Sequence, residues 1–287
     1  MFLIPTLQAE HLAKKLSRKN VHVVYPSLNK DGKRHFPDGE LYVKIPRASR
    51  LAGQRVTVLH SGMPLPNEGL VELELILQIL KDVKAGHVEV FFSYFPYGMQ
   101  DSVFAKGETN VAEMLVEKLT HYYNVKKICI VDAHFAGKEW TARYPLKLVS
   151  AVPLLTEAAK KDWGDELVFF SPDKGGKRRT AFQNIHKKRK NSYEVEMYSS
   201  RATAKKIKNH AIAVVDDLVE TGGTLERFYE ECKRIGAKEM LALITHGVLP
   251  EGISRVQAKY QKLYLTNTIT RKEANVDITP LIVSAIR

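Results

Sequence analysis

In the stretch Ala213-Val214-Val215-Asp216-Asp217-Leu218-Val219-Glu220-Thr221-Gly222-Gly223-Thr224-Leu225, an apolar run meets two adjacent carboxylates and three residues later enters Thr-Gly-Gly-Thr. Packing gives a buried strand no reason to end on paired negative charge, and a turn needs at most one of those glycines. Glycines after a strand leave backbone N–H groups free to converge on a phosphate. Thr221 and Thr224 add hydroxyl donors, and the helix expected from Thr224 to Ile235 presents its positive N-terminal end. One step away, Asp216 and Asp217 can accept hydrogen bonds from the vicinal hydroxyls of a sugar, or hold a cation through water. For Thr-Gly-Gly-Thr alone, the competing reading is an ordinary strand–turn–helix with Thr224 as N-cap. The acidic pair at a fixed offset argues against it.

These residues need a scaffold, and hydrophobic periodicity supplies one. Apolar runs at Val21–Tyr25, Arg55–His60, His87–Phe92, Lys127–Val131, Leu146–Val149, Leu167–Ser171, Tyr193–Tyr198, Ala211–Val215, Met240–Thr245 and Lys262–Thr266 read as strands. Helical stretches at Gly69–Lys84, Thr109–Tyr123, Pro153–Lys161 and Thr224–Ile235 fall between them. Alternation of this kind implies βαβ units and mainly parallel sheets covered by helices. The runs VEVFFSYF and AIAVV do not alternate, as expected of strands buried on both faces. A chain of 287 residues suits two domains, and a boundary near Ser150 divides it into 1–150 and 151–287. Ligands of open α/β sheets bind outside the carboxyl ends of strands, so the segments just after the strands are the places to search.

Charge narrows the ligand. The net charge of +12 is concentrated between Lys174 and Lys208, with twelve Lys or Arg against two Glu. That suits a polyanion, either nucleic acid or a small phosphorylated ligand, although a solvated basic surface would look the same. No apolar run approaches the ~18 residues that span a bilayer. The start MFLIPTLQAEHLAKKL lacks a basic region ahead of its apolar patch, so secretion is not expected. Cys129 and Cys232 read as reduced structural thiols in a cytoplasmic protein.

VVDDLVETGGTL resembles the phosphoribosyl diphosphate (PRPP) binding motif of type I phosphoribosyltransferases and of ribose-phosphate diphosphokinases, the PRPP synthases. Further segments, in family order, point to the synthases. Phe36-Pro37-Asp38-Gly39-Glu40 is similar to the Phe-x-Asp-Gly-Glu that binds ATP, there from the neighbouring subunit. Ser93 to Asp101 resembles an aromatic-rich strand end leading to Arg-Gln-Asp. Val131-Asp132-Ala133-His134 resembles the Asp-x-His that supplies a magnesium ligand, and Ser171-Pro172-Asp173-Lys174-Gly175-Gly176 the segment with the matching Asp. Thr245-His246-Gly247 fits the downstream Thr-His-Gly, with His246 read as structural. Lys187-Lys188-Arg189 ahead of Val195-Glu196-Met197 looks like the catalytic flexible loop, which gives the basic segment a reason.

The resemblance implies two tandem type I phosphoribosyltransferase-like domains, an ATP side at 1–150 and a ribose 5-phosphate side at 151–287. It implies transfer of the β,γ-diphosphoryl group of ATP to the C1 hydroxyl of ribose 5-phosphate, giving PRPP and AMP. Lys187 and Arg189 would be catalytic. Phe36, Asp38, Gly39, Glu40, Met99, Gln100 and Asp101 would bind ATP. Asp216, Asp217, Glu220, Thr221, Gly222, Gly223 and Thr224 would bind ribose 5-phosphate, and His134 and Asp173 would hold Mg2+. At least a dimer is implied, with no nucleic acid or membrane as partner. Three positions depart from the family: Met99 replaces an ATP-contacting Arg, Ser102 a common basic residue, and Glu220 an Asp. Lys106 is a candidate to compensate for the lost charge. Met99 supports the alternative of a non-catalytic nucleotide-binding homologue that regulates a true synthase; a phosphoribosyltransferase would leave Phe36–Glu40 unexplained.

Overall fold

The computed structural model describes residues 2–17, 21–172, 182–184, 186–189, 195–198 and 201–286, with 183–184, 186–189 and 195–198 described by backbone alone. Among them, Cα packing separates two compact units: Met1–Val149 with Thr268–Thr270 and Thr279–Arg287, and Ser150–Asn267 with Arg271–Ile278. The division is not a single cut in the chain, because the C-terminal segment belongs with the first unit.

In the first unit, strand β1 (Phe2–Pro5), helix α1 (Glu10–Leu16), β2 (His22–Val23), β3 (Arg55–Ser61), α2 (Pro66–Asp82), β4 (His87–Tyr94), α3 (Val111–Glu117), β5 (Lys127–Val131) and β6 (Leu146–Val149) follow one another. The six strands form one parallel sheet in the order β2-β1-β3-β4-β5-β6. Six successive residues of β4 are buried, as a strand covered on both faces requires. Helix α2 begins with Pro66 at a position where a missing N–H costs nothing. It buries Gly69, Glu72, Leu73, Ile76, Leu77 and Leu80, the stripe of a helix lying on a sheet. Helix α3 starts at Asn110, whose side chain accepts from the amide of Glu113 while donating to the Glu113 carboxylate at 3.0 Å.

The chain's first apolar residues are not a loose patch. Phe2–Pro5 lies between β2 and β3, and α1 buries Leu12, Ala13 and Leu16. A four-residue strand is too short to carry a period. At the amino end of the same sheet, buried Glu89 meets Arg55 at 3.0 Å, His87 at 3.0 Å and Lys127 at 3.5 Å. Lys127 also donates to the carbonyl of Ala285 in the last helix, 2.7 Å away, which ties that helix to this unit.

His60 near the end of β3 is fully buried, with Nδ1 3.0 Å from the Thr6 hydroxyl and the ring edge-on to Phe92. Burial pushes its pKa from the usual value down to about 3. The unfolded chain therefore takes up a proton below about pH 6.5 that the folded chain refuses. Stability is expected to fall as pH drops from about 6.5 toward 3, by up to ~1.4 kcal/mol per pH unit from this group. Urea unfolding at pH 7, 5.5 and 4.5 checks it: His60→Gln flattens the slope, and an unchanged slope would contradict it.

The second unit contains α4 (Val152–Trp163), β7 (Val168–Ser171), β8 (Gln183–Asn184), β9 (His186–Arg189), β10 (Val195–Tyr198), α5 (Arg201–Ile207), β11 (Ala211–Val219), α6 (Gly223–Ile235), β12 (Glu239–Gly247), α7 (Pro250–Lys259) and β13 (Lys262–Leu265). Its main sheet is again parallel, in the order β13-β12-β11-β7, with two-residue β8 at the edge of β7. The expected strand at Tyr193–Tyr198 joins neither main sheet: Val195–Tyr198 forms a separate antiparallel ladder with His186–Arg189. The last helix, α8 (Thr279–Ile286), buries Ile282, Ala285 and Ile286. Two mainly parallel sheets flanked by helices are the α/β architecture the alternating pattern calls for.

Candidate functional site

The acidic pair sits inside a strand, contrary to the expected end at Val215. Strand β11 runs on to Val219, with Asp216 opposite Ile244 and Val219 opposite Gly247 of β12. Both carboxylates are largely buried. Side chains alternate along a strand, so the pair is divided. Asp216 continues the face of Ile212 and Val214, which packs with α6 and α7. Asp217 continues that of Ala213 and Val215, which packs with α4. The Asp216 carboxylate accepts from the amide of Asp217 at 3.1 Å.

The chain then turns through half-buried Glu220, exposed Thr221 and buried Gly222. Gly222 caps α6 in the left-handed region, φ 79°, so the helix begins one residue earlier than Thr224 predicts and the cap is a glycine backbone rather than a hydroxyl. The first amides of α6 have no partner within the helix and face the loop. Three contacts hold this turn in place. The amide of Val248 donates to the Val219 carbonyl at 2.9 Å, and Arg271 holds the carbonyls of Gly247 and Val248. The Tyr260 hydroxyl donates to the Leu225 carbonyl at 2.7 Å. Burial, aided by Cys232 and Asp216, raises the Tyr260 pKa well above its usual value and keeps the phenol a donor. The segment Thr245-His246-Gly247 is thus buried strand and strand end that braces the turn.

A further brace was not visible in the sequence. Helix α7 passes so close to the turn that a Cβ built on Gly252 would lie 1.8 Å from the Glu220 carbonyl oxygen. A Cβ on Gly222 would in turn lie 3.2 Å from the Gly252 carbonyl oxygen. Two bare glycines allow the loop and the helix to touch backbone to backbone.

In the first unit, Phe36 to Glu40 forms the tip of a small hairpin. The amide of Phe36 donates to Glu40 at 2.8 Å, that of Gly39 to Phe36 at 3.0 Å, and that of Glu40 to the Asp38 carboxylate at 3.1 Å. Gly39 has φ 92°. The Phe36 ring is 44 % exposed and T-shaped against Tyr42. Met99 and Gln100 are exposed, whereas Asp101 is buried. Its carboxylate accepts from Ser102 at 3.2 Å and pairs with Lys138 at 3.3 Å. Asp101, Ser102 and Lys138 line an open cavity of about 470 Å³ together with Asn110, Glu113 and Trp140. The cation beside Ser102 is Lys138, from a later loop, and exposed Lys106 is not part of this cluster. His134 is half-buried just after β5, in a turn where Asp132 adopts φ 36°, a conformation that costs a non-glycine residue energy.

Asp173 lies outside the described residues. Lys187 and Arg189 are two residues apart in β9, opposite Met197 and Val195 of β10, and their side chains also lie outside what is described. Among the described residues, no group of three His, Cys, Asp or Glu is placed to hold a metal ion. No helix among them is long and apolar enough to cross a membrane.

Residues 3–122 match the N-terminal domain of ribose phosphate pyrophosphokinase. The chain is 31% identical over 259 residues to the ribose-phosphate pyrophosphokinase of Thermococcus kodakarensis, covering 86% of this chain and 88% of that one. It is 26% identical over 291 residues to that of Pyrococcus furiosus, covering 97% and 98%. In fold it is similar to phosphoribosylpyrophosphate synthetase from Mycobacterium smegmatis, with a TM-score of 0.83 at 22% identity, covering 100% of this chain and 97% of that one.

Proposed function

Because the chain belongs to the ribose-phosphate pyrophosphokinase family, we propose that it transfers the β,γ-diphosphoryl group of ATP to the C1 hydroxyl of ribose 5-phosphate. The hydroxyl oxygen bonds to the β-phosphorus, the bond from that phosphorus to the oxygen bridging the α-phosphate breaks, the hydroxyl proton is lost, and AMP leaves. The observation that carries this reading at the level of residues is the pairing in one chain of a braced phosphate cradle, Thr221–Thr224, with an exposed nucleotide turn, Phe36–Glu40. A transferase acting on PRPP needs only the first.

The 5-phosphate is assigned to the loop amides, the hydroxyls of Thr221 and Thr224, and the first turn of α6. The ribose hydroxyls are assigned to Asp216 and Asp217. Glu220 begins the loop, where its backbone carbonyl touches α7. Phe36 would stack on the adenine while Asp38, Gly39 and Glu40 supply polar contacts, and the exposed hairpin suits service to the site of a neighbouring subunit in a dimer or larger assembly. Met99, Gln100 and Asp101 are assigned to the nucleotide as well, with Lys138 beside Asp101 bringing the positive charge that Met99 lacks. Lys187 and Arg189 would close on the transferring group, the guanidinium as a fork and the ammonium as a point charge.

The family's use of magnesium fits this donor set. An ion held mainly by nucleotide phosphates and water is the form that hard, octahedral chemistry favours. His134 and Asp173 are the proposed protein contacts, and the ion when bound neutralises triphosphate charge.

Chromatographic assay of AMP tests the reading: release from Mg-ATP is expected only with ribose 5-phosphate present. Stoichiometric ATP binding without AMP would instead mark a nucleotide-binding regulator.

A further inference from the structure

We propose that Arg227 is a ribose 5-phosphate-binding residue, supplying a guanidinium to the 5-phosphate beside the loop amides. The inference rests on the assignment of that phosphate to the Thr221–Thr224 cradle and adds a residue from the second turn of α6. Side chains on a helix lean toward its N-terminus and meet the residue one turn earlier. Arg227 does this over Gly223: a Cβ built there would lie 3.8 Å from both Nη1 and Nη2. The fork therefore lies beside the first residue of the helix, next to the loop amides.

Two features make this placement costly without an anion. The Arg227 Nε is buried and, among the described residues, has no hydrogen-bond partner. A buried donor left unmade costs free energy that burial elsewhere must offset. The guanidinium also stands at the positive end of α6, where a cation is disfavoured. The neighbouring acid on the helix relieves it only slightly, because Glu226 is engaged from α7 by Lys259 at 2.7 Å and Arg255 at 3.5 Å, and Arg227 acts on it least of the three cations. Among the described residues Arg227 makes no ion pair. A phosphate dianion in the loop would satisfy the amides, the helix end and the fork together. Local costs that a ligand removes are characteristic of binding sites.

Calorimetry of ribose 5-phosphate and of Mg-ATP with wild type, Arg227→Gln and Arg227→Lys tests the proposal. Arg227→Gln is expected to weaken ribose 5-phosphate by about ten- to a hundredfold and leave ATP unchanged. Arg227→Lys recovers part of the loss, since it keeps the charge and loses the fork. A wild type that does not bind ribose 5-phosphate would sink the cradle assignment itself. A wild type that binds, with Arg227→Gln within twofold of it, would sink Arg227 alone. Should Arg227→Gln fail to fold, the wild-type Nε–Hε resonance of Arg227, identified by its loss in Arg227→Lys, replaces it. That resonance is expected to shift with ribose 5-phosphate and not with Mg-ATP, and an unmoved signal overturns the proposal.

Discussion

Lys187→Ala is expected to lower kcat by about three orders of magnitude or more, with both substrates still bound and the melting temperature unchanged. Charge on the transferring diphosphoryl group and the leaving AMP rises toward the transition state, so a cation placed there stabilises that state more than the bound substrates. The residue sits in a two-stranded ladder apart from both main sheets, so its removal leaves the cores intact. Arg189→Ala is expected to follow the same pattern, with Arg189→Lys a partial rescue at most, because an ammonium cannot grip two oxygens as a fork does. Steady-state AMP formation with calorimetric titration of each substrate separates kcat from binding. An equal loss in binding would move Lys187 from catalysis to substrate capture.

Gly252→Ala is expected to raise the ribose 5-phosphate dissociation constant by roughly a hundredfold while ATP binding is unchanged. On propensity alone the substitution inside α7 would stabilise the protein by up to ~1 kcal/mol, so the direction of the effect discriminates. Its Cβ would fall 1.8 Å from the Glu220 carbonyl oxygen and 3.1 Å from the Gly222 amide nitrogen. No side-chain atom is there to swing away, so the loop and helix must separate by about 1 Å, a displacement that costs on the order of a hundredfold when it misplaces a binding group. Gly222 cannot absorb the shift easily, since it already occupies φ 79° with the Gly252 carbonyl beside it. Calorimetry with ribose 5-phosphate reads the effect, and an affinity within twofold of wild type would contradict it.

The fold class was legible because strand and helix periods alternate along most of the chain, and long elements such as α2 and β4 announce themselves through their burial patterns. Short elements did not: Phe2–Pro5 has too few residues to show a period, yet it lies inside the sheet. Strand β11 was read too short because two carboxylates imitate a strand end; pairing with β12 carries the backbone past them. In the same way, acids and glycines at fixed offsets drew attention to the phosphate loop, since ordinary packing does not call for them. What supports the loop stayed hidden. Gly252 is a single glycine in an amphipathic helix thirty residues away, and Arg227 one of many basic residues; only spatial proximity gives either a role. Lys138 was missed for the same reason, because its closeness to Asp101 arises from folding across two loops.

The most direct test of the central claim is phosphorus NMR of the protein with Mg-ATP and ribose 5-phosphate. Intact transfer of the β,γ unit predicts growth of AMP together with two coupled diphosphate resonances of a C1-linked sugar diphosphate, in equal amounts and only when the sugar phosphate is present. ADP appearing with a sugar bisphosphate, or no change in the ATP resonances, would contradict it.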